Sequence, residues 1–159
     1  MQKILISACL LGEPVRYDGK SKAQSSPQLL QWQHEGRLVS FCPEVAGGLP
    51  TPRIAAEIVG GEGADVLKQC ARVIDRTGAD VTASFIKGAK LALDLCRQHN
   101  INIAILSARS PSCGDRQIYD GSFSATLKNG SGVTAALLAG HGIRVFNQTD
   151  LDQIAQWLD

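Results

Sequence analysis

Several things this 159-residue chain lacks narrow its class. Charge of one sign is not in excess: 16 Lys and Arg stand against 15 Asp and Glu, for a net charge of +1. Bulk electrostatics therefore point to neither a nucleic-acid polymer nor a membrane surface, and the missing basic stripe argues against long RNA. No apolar run approaches the ~20 residues of a membrane span. Met1-Gln2-Lys3 leads straight into a short apolar run, without the length or cleavage site of a signal peptide. The expected location is cytoplasmic. Aromatic residues are few, at 5%, whereas the 44% hydrophobic content is ordinary. Internal repeats and low-complexity stretches are missing, and the length predicts a single α/β domain over 1–159. Five cysteines form no even set, so a disulfide framework is not expected in a reducing compartment.

What is present is a series of strand-like runs that end near cysteine: Ile4-Leu5-Ile6-Ser7-Ala8-Cys9, Leu38-Val39-Ser40-Phe41-Cys42, and Ile103-Ala104-Ile105-Leu106 leading on to Cys113. These predict strands over 3–9, 37–42 and 101–107. Between them, Ser26-Pro27 opens a helix that Gly36 ends. The Pro/Gly-rich stretch 43–53 reads as loop. Ala56–Val59 and Arg72–Asp75 read as short strands of an inserted lobe. A long helix over 79–99 carries Phe85, Ala89, Ala92 and Cys96 on one face. Segment 118–123 reads as turns, 132–139 as helix and 143–146 as strand. A closing helix over 149–158 is expected to be capped by Thr149 with Asp152. Alternation of this kind predicts a three-layer α/β sandwich with a mostly parallel, Rossmann-like sheet.

In such a sheet, ligands bind beyond the carboxyl ends of the strands. Cys9, Cys42 and Cys113 all fall there and are candidates to converge on a soft metal or an iron–sulfur cluster. Cys96 and Cys70 are expected to be structural. Glu44, two residues past Cys42, is a candidate acid or base. Ser110 and Ser112 flank the third thiol with hydroxyls and backbone amides suited to an oxyanion. Arg16, Arg53, Arg109 and Arg116 are candidates to hold an anionic group. Tyr17-Asp18-Gly19 and Tyr119-Asp120-Gly121 read first as turns and second as aromatic lids over a planar ligand. Three chemistries remain open on this basis: a cluster enzyme, a metal-free enzyme with Cys113 as nucleophile, and a non-catalytic zinc or cluster module.

Taken together, Ile6-Ser7-Ala8-Cys9-Leu10-Leu11-Gly12 with Val15-Arg16-Tyr17-Asp18-Gly19, Cys42-Pro43-Glu44 with Gly47 to Arg53, and Ser110-Pro111-Ser112-Cys113-Gly114 with Ile118 to Gly121 and Gly132 to Leu138 resemble a known family. It is the thiouracil desulfurase-like family of small bacterial iron–sulfur proteins. The resemblance implies a [4Fe-4S] cluster with one iron not ligated by protein, held on Cys9, Cys42 and Cys113. It implies non-redox removal of sulfur from a small thiolated pyrimidine, thiouracil or a related nucleoside, giving uracil and hydrogen sulfide. Glu44 maps onto the family's acid/base, and Ser110 or Ser112 onto an assisting serine. Arg16, Tyr17, Asp18 and Arg53 become expected substrate contacts, and a monomer or weak homodimer is expected. The pattern departs at Ser107, where many relatives are expected to carry lysine.

Overall fold

Ile4, Leu5 and Ile6 are all buried, because the strand they form is covered on both faces. The structure is a computed structural model that describes residues 1–158. Its main sheet contains β1 (Ile4–Ser7), β2 (Leu38–Phe41), β5 (Ile103–Ile105) and β8 (Arg144–Phe146), all parallel and ordered β2-β1-β5-β8. Side chains alternate across the sheet. Ile4, Ile6, Ile103 and Ile105 pack on one side with Leu29 and Trp32 of α1 (Pro27–His34) and Ile154 of α6 (Leu151–Ala155). Leu5 and Ala104 face the other side, against Ala92, Leu93 and Cys96 of α4 (Thr82–Gln98) and Ala135 and Leu138 of α5 (Val133–Gly140). The three-layer sandwich is as expected from the sequence, and so is the buried face of α4.

Two antiparallel hairpins complete the fold: β3 (Ala56–Val59) with β4 (Arg72–Asp75), and β6 (Gln117–Tyr119) with β7 (Leu127–Asn129). Ile58, Val73 and Ile118 from these hairpins pack on Phe85 and Ala89, in the first half of α4. A short α3 (Gly63–Leu67) joins β3 to β4.

The chain leaves β1 for β2 on one side and later returns to pair β5 on the other. The connections that follow β1 and β5 therefore diverge. Their divergence opens a crevice at the carboxyl edge, where ligands of open α/β sheets lie.

Several local expectations are corrected. The first strand stops at Ser7, and Cys9 lies in a 3₁₀ turn over Ala8–Leu11. The stretch read as loop contains α2 (Pro43–Ala46), which proline permits because it stands at the first helical position. Segment 118–123 begins as a strand. The closing helix runs only to Ala155 and has no Thr149–Asp152 box: the Thr149 hydroxyl donates to Asn147 Oδ1, which also accepts the Thr149 amide. Cys70 is exposed beyond α3, not packed in a core.

Two glycines set the height of α2. A Cβ at Gly88, in the middle of α4, would overlap the Pro43 carbonyl, and one at Gly47 would overlap the Ser84 carbonyl. Glycine costs an α-helix about 1 kcal/mol relative to alanine. Here it lets α2 rest backbone to backbone on α4, which fixes Cys42 and Glu44 at the sheet edge.

Candidate functional site

The crevice holds a cavity of about 490 Å³, bordered by Cys9, Cys42 and Cys113 together. Cys9 follows β1, Cys42 follows β2, and Cys113 ends the long turn after β5. All three are free thiols; Cys9 and Cys113 are buried and Cys42 is partly so. Burial raises all three pKa values, that of Cys113 to about 12. Next in weight for Cys113 is a lowering hydrogen bond from Ser7, followed by raising charges from Cys42, Glu44 and Cys9. The three thiols and Glu44 thus feel one another.

Among the described residues, no group of three or more His, Cys, Asp and Glu is close enough to hold a single metal ion. A single ion needs its donors about 2.0–2.3 Å from one centre. A cluster instead brings its own irons and sulfides to lie between the thiolates. Three thiols around a cavity of this volume fit the second requirement and not the first. As for a metal-free nucleophile, an activated cysteine has a depressed pKa, and Cys113 has the opposite.

Glu44, in the first turn of α2, borders the same cavity. Its Oε1 accepts from Arg53 Nε at 3.0 Å, and its Oε2 accepts a longer bond from the Ser110 hydroxyl at 3.4 Å. Arg53 is almost fully buried and also donates to the carbonyls of Val15 and Pro50. The guanidinium is thus spent on holding Glu44 and the loop, and is not free in the cavity.

Geometry separates the two serines. Ser110 borders the cavity, and its oxygen accepts the amides of Ser112 and Cys113. Ser112 is fully buried, paired with Thr134 at 2.7 Å, and is not part of the cavity wall. Because Ser110 takes two of the loop's amides and its carbonyl takes that of Gly114, the amides expected to cradle an oxyanion are already committed.

Arg16 and Tyr17 border the cavity, as does Tyr119 of the second Tyr-Asp-Gly. Asp18 does not: it accepts the Lys20 amide in a turn and lies 4.0 Å from Arg16. Arg109 lies in the wall, whereas Arg116 is taken up by Asp115 and Asp150 elsewhere. Sequence reasoning missed Lys22, Glu57 and Arg76, all cavity residues. Lys22 comes from a turn-rich loop and the other two from the inserted hairpin, where no local pattern announces a site. Among the described residues, no helix is long and apolar enough to cross a membrane.

Residues 4–150 match the model of a family described as 2-thiouracil desulfurase. The uncharacterised protein YbbK of Bacillus subtilis (strain 168) is 43% identical over 151 residues, covering 95% of this chain and 99% of its own. A solved structure of TudS, described as a [4Fe-4S]-dependent thiouracil desulfidase, superposes with a TM-score of 0.90 at 48% identity. That match covers 99% of this chain and 97% of the other.

Proposed function

The chain belongs to the 2-thiouracil desulfurase family, and from that premise we propose that it is a [4Fe-4S]-dependent desulfidase converting a thiolated uracil and water into uracil and hydrogen sulfide. The observation that carries the reading is the lining of one cavity by Cys9, Cys42, Cys113 and Glu44. The three cysteines are the proposed ligands, and one iron is left without a protein ligand.

When bound, such a cluster supplies a sulfur-seeking Lewis acid toward a thiocarbonyl. The chain's own residues do the rest. Glu44, oriented by Arg53 and Ser110, takes a proton from the water that adds to the thiocarbonyl carbon and returns it as the carbon–sulfur bond breaks. Ser110 is the assisting serine and Ser112 a structural one. Water supplies the oxygen and both protons, so no net electron transfer is needed. Arg16 and Tyr17 contact the pyrimidine from the mouth. Arg53 acts through Glu44, and Asp18 shapes the turn that presents them.

The test is to purify the protein without oxygen, reconstitute it with iron and sulfide, and follow thiouracil absorbance and sulfide release. Iron and sulfide bound at about four each, with turnover confined to the loaded protein, are expected. Iron-free protein that still consumes thiouracil, or loaded protein that releases no sulfide, overturns the reading.

A further inference from the structure

Two serines that the proposed reaction does not use stand against the thiols. Ser7 closes β1, and Ser107 lies just past β5, the neighbouring parallel strand. Both are buried. The Ser7 hydroxyl donates to Cys113 Sγ at 3.5 Å, while its oxygen accepts the Ser107 amide at 3.0 Å. Ser107 borders the same cavity as Cys9, where burial raises the Cys9 thiol and the Ser107 side chain draws it back, and the Ser107 oxygen accepts from Lys22 Nζ at 3.4 Å. Lys22 makes no ion pair among the described residues, and its own amide donates to the Cys9 carbonyl.

The direction of these bonds is forced. An amide and an ammonium can only donate, so each serine oxygen is occupied as an acceptor from behind. Each hydroxyl has one proton left: that of Ser7 goes to Cys113 Sγ, and that of Ser107 is available to Cys9 across the shared cavity wall. A thiolate, which only accepts, matches such a pair of donors better than a thiol, which carries a proton of its own. Cys42 is served differently: its Sγ donates to the Val15 carbonyl at 4.0 Å, and burial raises its thiol while the backbone amides of Val45 and Glu44, which no side-chain substitution removes, draw it back.

We propose that Ser7 and Ser107, with Lys22 behind Ser107, are positioning residues for the cluster: they donate to the ligand sulfurs of Cys113 and Cys9, raise the cluster's reduction potential and slow its loss. The proposal rests on the three-cysteine cluster reading above. Hydrogen bonds to the sulfurs are among the factors that set cluster potentials. They favour the more negative, reduced state, so removing one makes reduction harder.

The experiment compares parent, Ser107→Ala, Ser7→Ala and Ser112→Ala as reconstituted holoproteins. It records the midpoint potential by dye-mediated reductive titration and the rate of cluster bleaching under an iron chelator. Ser107→Ala and Ser7→Ala are expected to shift the potential to more negative values and to bleach several-fold faster, and Ser107→Thr to restore both. Ser112→Ala alters the same loop without touching sulfur, and its potential is expected to stay at the parent's. Unmoved potential and bleaching in Ser107→Ala overturn the proposal, as does an equal shift in Ser112→Ala. Both serines border the cavity, and either variant carries the test by itself if the other does not fold. A parent that takes up no cluster defeats the underlying reading as well, whereas a loaded parent with indifferent serine variants defeats this inference alone.

Discussion

On one side of the cavity the wall hangs from β1, β2 and β5, strands of a parallel sheet covered by helices. On the other it hangs from the hairpins, through Ala56 and Glu57 of β3, Arg76 past β4, and Tyr119 and Ala125 of the second hairpin. The sheet side is fixed by aliphatic packing in two continuous cores. The hairpin side is held at its tip by a buried carboxylate: Glu57 Oε1 accepts the amides of Gly121 and Phe123 at 2.9 and 3.2 Å. Gly121 passes so close to the Ile58 carbonyl that a side chain there would collide with it. Arg76 lies over the Phe123 ring, 5.6 Å from its centroid. A stiff wall suits cofactor ligands that must not move. A wall whose tip is pinned by a few polar bonds above its own apolar cluster suits recognition, since the tip can be reshaped without unpacking that cluster.

The sharpest test removes the sheet side's contribution. Cys9→Ala, Cys42→Ala and Cys113→Ala are each expected to abolish both the brown colour and sulfide release, read by absorbance and product assay. A variant that keeps both breaks the division between the walls. Next in size, Glu44→Gln should keep the colour yet lower kcat by about 10²–10⁴-fold, the usual span for losing a general acid or base. Glu57→Ala acts on the opposite wall and should raise KM roughly tenfold while kcat changes by less than about threefold, as loss of uniform binding does. A collapse of kcat there would mean that the hairpins take part in the chemistry. The mildest probe uses the two spare cysteines, one on each side. Alkylation of the folded apoprotein near pH 8 should label exposed Cys70 and spare Cys96. Burial raises Cys96 to about 11, so its thiol stays protonated below that pH and reactivity should appear only on approaching it. Mass spectrometry of the labelled peptides reads both.

The same division governs how much of the molecule is legible in sequence. Ile4-Leu5-Ile6 and Ile103-Ala104-Ile105 announce themselves because a strand covered on both faces is apolar throughout. The sites at their ends follow from the rule for parallel sheets. Ser26-Pro27 and Gly36 bracket α1 with the local chemistry the structure uses: Ser26 Oγ accepts the Leu29 amide, and Gly36 has a φ of 73°. On the hairpin side the strands Ala56–Val59 and Arg72–Asp75 are legible as short runs, as expected, but which of their residues reach the cavity is not. Phe123 and Ala125, neither of them glycine, adopt positive φ after Gly121, and Glu57 finds its partners more than sixty residues away. Gly47 and Gly88 matter through a contact between α2 and α4 that neither segment reveals alone. Ser110 and Ser112 stand two apart in one Ser-Pro-Ser run, and Thr134, far along the chain, tells which one is buried.

The strand order also dictates when the three proposed cluster ligands meet during synthesis. Cys9 and Cys42 leave the ribosome early and can be aligned by the β1–β2 pair. Cys113 comes to the carboxyl edge only after β5 has docked against β1, once most of the chain has been translated. Nascent protein therefore offers at most two of the three proposed ligand sulfurs until β5 is in place.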